Sequence, residues 1–168
     1  MKINVILENG LIPDKYAKHA PIPYRTNDMP TVNFPVIIHD IPEGTKSLSV
    51  SLIDYDAVPV TGFPWIHWLA ANLPVDDIPE NLRATHKGIS GTNSTWHMVK
   101  KANEPANPAI NQAYIGPMPP DKTHNYTLSV FALDTTLDIE DGFFLNELRT
   151  KSNGHVLARA ILELPARA

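Results

Sequence analysis

The residues able to do chemistry gather at three places in the 168-residue chain. Asp54-Tyr55-Asp56-Ala57-Val58-Pro59 sets two carboxylates two positions apart, and if the backbone stays extended there both point to one face. The plainer role for acids ending a strand is to cap a turn and face water. Trp65-Ile66-His67-Trp68 sets His67 on the same extended face as Trp65 and Leu69. That apolar setting suits a satisfied core histidine as well as a ligand-facing ring. In Thr123-His124-Asn125-Tyr126, His124 and Tyr126 stand at i, i+2 and share a face, while Asn125 points away. An imidazole beside a phenol can donate to phosphate or carboxylate oxygens, the chemistry of a small anion pocket. The plainer alternative is a polar cluster at a strand edge.

Other chemistries find less support. An Asp-x-Asp pair also serves metal–nucleotide sites in glycosyltransferases, but no phosphate-cradling glycine loop accompanies it here. Neither a Gly-x-Ser-x-Gly elbow, a His-Glu-x-x-His helix, a Walker loop nor a dinucleotide fingerprint occurs. The lack of cysteine removes disulfide scaffolds, thiolate metal sites and cysteine nucleophiles together, and fits a reducing compartment. His67, His124, Asp54 and Asp56 form a chemically allowed metal set, yet ligands from separate strands carry no spacing signature, and no metal or cofactor is expected. His124 with Asp54 makes a conceivable acid–base pair for a hydrolase or lyase, without an evident nucleophile. His19, His39, His86, His97 and His155 read as surface or packing residues. Fourteen basic and 18 acidic residues, well mixed, give a net charge of −4 and no basic footprint, so nucleic acid is not an expected partner.

The elements that must position these groups are mainly strands. Leu48, Val50 and Leu52 alternate with Ser47, Ser49 and Ser51, which predicts a strand with one buried face. Tyr126 to Leu133 has β-branched and aromatic composition, Trp65 to Asn72 is a further strand, and Ile3 to Leu7 and Phe34 to His39 are weaker ones. Ile41-Pro42-Glu43-Gly44 closes the last of these as a turn. Phe143 to Lys151 predicts a short helix ended by Gly154, and Pro79 to Thr85 a single helical turn. His155 to Leu164 alternates like a strand but is rich enough in Ala and Leu for a helix. Strands recurring between turn signals predict an antiparallel, mainly β sandwich.

Residues 88 to 120 form a 33-residue stretch with five prolines and no sustained periodicity. Trp96, Met98, Ile110, Tyr114 and Ile115 predict that it is ordered and packed on the sandwich rather than free. The 16 prolines are nearly twice the usual ~5%, and the excess lies in loops, where an X-Pro bond such as Val58-Pro59 is a candidate for a cis peptide. Length and composition predict one domain over residues 1–168. The N-terminal apolar run meets Glu8 too soon for a secretory signal, and no apolar run approaches the ~20 residues of a membrane helix, so a cytoplasmic protein is expected.

In order along the chain, these pieces resemble the phosphatidylethanolamine-binding protein family, and most closely its bacterial Raf-kinase-inhibitor-like branch. The resemblance starts at Asn9-Gly10-Leu11-Ile12-Pro13-Asp14-Lys15-Tyr16 and runs through Ile41-Pro42-Glu43-Gly44-Thr45-Lys46-Ser47-Leu48. Asp54-Tyr55-Asp56-Ala57-Val58-Pro59 stands where the family has Asp-Pro-Asp-Ala-Pro, and His67-Trp68 with Asn72-Leu73-Pro74 follows. Gly116-Pro117-Met118-Pro119-Pro120 and His124-Asn125-Tyr126 are similar to the Gly-x-Pro-Pro and Gly-x-His-Arg-Tyr region, and Phe131 to Asp134 and Gly154 to Ala158 complete the order. The resemblance implies an antiparallel β-sandwich of Greek-key type with a few short helices, and a cavity for phosphate, carboxylate or the phosphoryl head of phosphatidylethanolamine. By motif position its ligand-binding residues are Asp54, Asp56, Pro59, His67, Gly116, His124 and Tyr126. It further implies a protein that acts by binding, with inhibition of a kinase or protease as the alternative; the 88–120 loop is the expected surface for such a partner, and whether an exposed edge strand makes a homodimer is left open by the sequence. Tyr55, the inserted Val58, and Asn125 in place of arginine depart from the family pattern, with Lys122 a candidate to restore the lost charge.

Overall fold

The computed structural model describes residues 1–168. Along the chain run β1 (Lys2–Asn4), β2 (Arg25–Thr26), β3 (Met29–Pro30), β4 (Ile37–His39), β5 (Ser47–Asp54), α1 (Val58–Thr61), β6 (Trp65–Leu73), β7 (Ile89–Ser90), α2 (Thr95–Ala102), α3 (Pro108–Asn111), β8 (His124–Leu133), α4 (Leu145–Ser152) and β9 (Val156–Ala166). Five strands form one antiparallel sheet in the order β7-β6-β5-β8-β9, and β1 with β4 and β2 with β3 form separate two-stranded ribbons. The architecture is thus mostly antiparallel β with a few short helices, and the sheet does not close into a barrel.

One face of the sheet carries Leu48, Val50 and Leu52 of β5, Trp68 and Ala70 of β6, and Leu128 and Val130 of β8, covered by Val5, Ile12, Phe34, Val36 and Ile38 from the N-terminal quarter. Phe34 sits edge-on to Tyr16, Trp68 and Tyr114 at centroid distances of 6.1, 6.3 and 5.7 Å, pairings worth about 0.5–1.5 kcal/mol each beyond burial. The opposite face is covered as well. Leu69 and Ala71 of β6 and Leu133 of β8 pack there with Leu137, Phe143 and Leu148, so that α4 and the segment before it form a third layer.

That third layer corrects the expectation of a one-sided β5, because all eight residues of the strand are buried. Ser47 is satisfied by donating from Oγ to Thr135 O at 2.5 Å, whereas Ser49 Oγ is buried there without a partner. The His155 to Leu164 ambiguity resolves as β9, which pairs along the whole length of β8 from Leu133↔Val156 to His124↔Ala166. Every peptide bond is trans, Val58-Pro59 included, and Pro59 lies in the first turn of α1, where its fixed φ fits a helix.

The 88–120 stretch is ordered by a buried polar network rather than by apolar residues alone. Asn93 donates from Nδ2 to Ile110 O at 2.6 Å and Ala113 O at 2.9 Å, and Asn111 donates to Thr95 Oγ1 at 2.9 Å. These bonds tie the start of α2 to the end of α3 and satisfy backbone that a long irregular segment leaves unpaired. Tyr114 and Ile115 are buried as expected, whereas Met98 is 54% exposed on α2.

Candidate functional site

At one end of the sheet, where β5 stops and β8 begins, a cavity of about 180 Å³ opens. Its walls include Asp54, His67, Gly116, His124 and Tyr126, joined by apolar Met29, Trp65, Ile115 and Met118. Five of the seven residues expected from the sequence therefore meet around one space.

Asp54, His124 and Tyr126 arrive there by strand alternation. Asp54 follows Leu48, Val50 and Leu52 on the inner face of β5, and its cross-strand partner on β8 is Tyr126. His124 and Tyr126 alternate with the exposed Asn125, as the i, i+2 spacing requires. His67 arrives by another route. Leu52 pairs with Trp68 and Ile53 with Ile66, so His67 is the extra residue of a β-bulge. The bulge breaks the expected sharing of one face by His67 and Leu69. Leu69 packs in the outer cluster, while His67 turns to the cavity and meets the Tyr126 ring edge-on at 5.0 Å.

The two histidines are held in opposite charge states. His67 donates from Nδ1 to Ile115 O at 2.8 Å, and burial lowers its pKa to about 4, so near neutrality the ring is uncharged and Nε2 offers a lone pair. His124 is buried too, which works against its charged form, but two carboxylates outweigh that and raise its pKa. Its Nδ1 donates to Asp54 Oδ2 at 2.8 Å and its Nε2 to Asp121 Oδ1 at 2.9 Å, which makes the ring an imidazolium with both donors engaged. Asp54 is fixed in turn, because its Oδ1 accepts from Ala57 N at 3.0 Å. The Tyr126 hydroxyl is buried and makes no hydrogen bond of ordinary geometry within the protein, although the Asp54 carboxylate and the Met118 main-chain N–H lie near enough to act on it.

Gly116 is a packing necessity. A Cβ there would come within 2.2 Å of Tyr16 O and 2.9 Å of Pro30 Cγ, and its own N–H donates to Pro30 O at 2.8 Å. No side chain fits that approach.

Two expected site residues stand outside the cavity. Asp56 lies beyond the end of β5, where the chain has turned, and its Oδ2 accepts from Asn125 N at 2.9 Å; it braces the β5–β8 end instead of facing the cavity. Pro59 lies exposed in the first turn of α1, the helix that Val58 begins. The other departures from the family pattern also miss the cavity. Tyr55 lies with Ser51 and Ile53 on the outer face, and Asn125 and Lys122 are exposed. Asp121 went unread in the sequence, although its place three residues before His124 is a usable signal for a carboxylate reaching back to that ring. No three His, Asp or Glu side chains converge in a metal-holding geometry.

Fold and site define a mainly β domain with a small cavity at one sheet end, walled by apolar side chains around two buried histidines. The family model described as phosphatidylethanolamine-binding protein matches residues 2–166, and the chain belongs to that family. It is 44% identical to the uncharacterized protein YxkA of Bacillus subtilis over 98% of this chain and 99% of that one. A UPF0098 protein of Methanothermobacter thermautotrophicus is 27% identical over 96% of this chain and 94% of its own. Among solved structures, the phosphatidylethanolamine-binding protein homolog CT736 from Chlamydia trachomatis superposes with a TM-score of 0.76 at 24% identity, covering 99% of this chain and 97% of that one. YbcL of E. coli, titled a member of the mammalian PEBP family, gives 0.73 at 20% identity, covering 99% and 98%. No helix is long and apolar enough to cross a membrane.

Proposed function

We propose that the protein is a non-enzymatic binding protein whose cavity takes a small ligand bearing a phosphoryl or carboxyl group, such as a phospholipid head. The observation that carries this reading is the buried Tyr126 hydroxyl, which makes no hydrogen bond of ordinary geometry within the protein, on the wall of a cavity that also holds the His124 imidazolium. An orphaned buried donor costs about 1–3 kcal/mol, and an oxygen from a ligand would recover it. About 180 Å³ is below the ~300–1,000 Å³ of sites for drug-sized molecules, so the occupant is a head group and not a whole lipid. A serine- or threonine-type nucleophile is missing from the lining: its one hydroxyl besides Tyr126 is Thr61, whose Oγ1 lies within hydrogen-bond distance of the Ala57 and Phe63 carbonyls. On the same reading the facing layers amount to a sandwich around the sheet, and the cysteine-free chain works in the cytoplasm.

Calorimetric titration with O-phosphoethanolamine tests the proposal, with saturable one-site binding expected for wild type and at least tenfold weaker binding for Tyr126→Phe. Equal affinity in the two proteins would remove Tyr126 from the site.

A second reading makes the protein an inhibitor of a kinase or protease that docks on the 88–120 segment. It is favoured by Met98 and His97 of α2, which continue the cavity rim through Phe63 and Trp65 into an exposed aromatic shelf. Homodimerisation, if it occurs, uses β9, an 11-residue edge strand that exposes Val156, Leu157 and Ile161. Sedimentation of wild type against Ile161→Lys distinguishes a dimer from a monomer.

A further inference from the structure

We propose that Asp121 sets the ligand specificity of the cavity, because its carboxylate already occupies the position on His124 that an anionic ligand must take. The inference rests on the binding reading above and adds to it a competitor built into the chain.

No lysine or arginine lines the cavity, so the His124 imidazolium is its one cationic donor. Nδ1 of that ring belongs to Asp54, whose side chain is 4% exposed and whose second oxygen is held by Ala57 N. Nε2 belongs to Asp121, whose side chain is 52% exposed. The two carboxylates therefore differ in mobility. Asp54 cannot leave without breaking buried bonds, whereas Asp121, held besides His124 only by main-chain N–H groups of its own exposed turn, can exchange those contacts for water.

The charges point the same way. Asp54 and Asp121 against one imidazolium leave this cluster net negative, His67 adds a lone pair and no charge, and Asp56 stands close behind on the Asn125 amide. Lys122 is exposed and is not among the lining residues, and its main-chain N–H acts on the Asp121 carboxylate. A bare anion thus has to displace a carboxylate and enter a negative field. A ligand that carries an ammonium group near its anionic end avoids part of that cost, since the ammonium pairs with the Asp121 it has displaced. Asp121 acts in this way as a filter against simple anions.

The test is titration of wild type, Asp121→Ala and Asp121→Asn with inorganic phosphate and with O-phosphoethanolamine at pH 6.0 and low salt, after denaturant curves show all three folded. If Asp121 leaves His124 open in about one-tenth of molecules, its removal strengthens phosphate binding about tenfold. Asp121→Asn gives an intermediate gain, because its amide oxygen still accepts from Nε2–H without charge. O-phosphoethanolamine gains less than phosphate, having lost its partner for the ammonium. The imidazole ¹⁵N titration of His124 moves to lower pKa in both variants, a change that a structural role away from the ring would not produce. If wild type binds O-phosphoethanolamine but phosphate affinity is the same or weaker in Asp121→Ala, the competitor is refuted and the binding reading survives. If none of the three proteins binds either compound, the binding reading fails and this inference fails with it.

Discussion

Acid should weaken the fold through His67 in a way that one substitution can isolate. The ring is buried, gives its Nδ1–H to Ile115 O at 2.8 Å, and has a pKa lowered to about 4 by that burial. An unfolded chain restores an ordinary histidine pKa near 6.5. Between those values the unfolded state binds the extra proton, so the His67 contribution is intact above about pH 6.5 and is lost as pH falls toward 4. From pH 7.5 to 4.5 the loss from this residue amounts to about 2–3 kcal/mol. His67→Asn keeps an N–H for Ile115 O but does not titrate. Urea unfolding of both proteins across that range should show a steeper acid decline for wild type, with the variant's curve flatter by roughly that amount. The carboxylates elsewhere contribute equally to both and cancel in the difference. Parallel curves would mean that His67 titrates normally, and the uncharged ring assigned to the cavity would be wrong.

The other buried histidine moves the opposite way. His124 has a raised pKa, so its contribution is complete below about pH 6.5 and is lost as pH rises through its folded value; Asp54→Asn removes its buried partner, lowers its ¹⁵N-detected pKa and flattens the alkaline arm. Tyr126→Phe leaves the fold as stable as wild type or stabilises it by up to about 1–3 kcal/mol in chemical denaturation, because an unsatisfied buried hydroxyl disappears. Gly116→Ala forces backbone apart at Tyr16 O and lowers the denaturation midpoint, at a cost of about 1–3 kcal/mol or more, while weakening any ligand at the adjoining wall.

What could be read from the sequence divides along the kind of information each feature needs. Asp54, His124 and Tyr126 reach the cavity by simple alternation on β5 and β8, and a period of two is visible in a single chain. The sequence groups His67 with both Trp65 and Leu69; Trp65 does share the cavity, but Leu69 does not, because the bulge between them depends on how β6 registers against β5. The serine face of β5 looked solvent-facing, since serine is compatible with water and nothing local announces that α4 will cover it. Pro59 and Asp56 were carried over by motif position, but Val58 begins a helix here and Pro59 lies exposed in its first turn. Nothing local in the 88–120 stretch singles out Asn93 and Asn111, because a buried amide network is a long-range fact, fixed only when α2 and α3 meet.

The most direct test of the cavity as a working site is a two-dimensional NMR titration of ¹⁵N-labelled protein with O-phosphoethanolamine near pH 6.5. Saturable shifts confined to the surroundings of Asp54, His67, Gly116 and Tyr126, and lost in His124→Ala, are the predicted result. Silence up to high millimolar ligand, or shifts centred on α2 and the Phe63–Trp65 shelf, would contradict it and give the 88–120 segment the leading role.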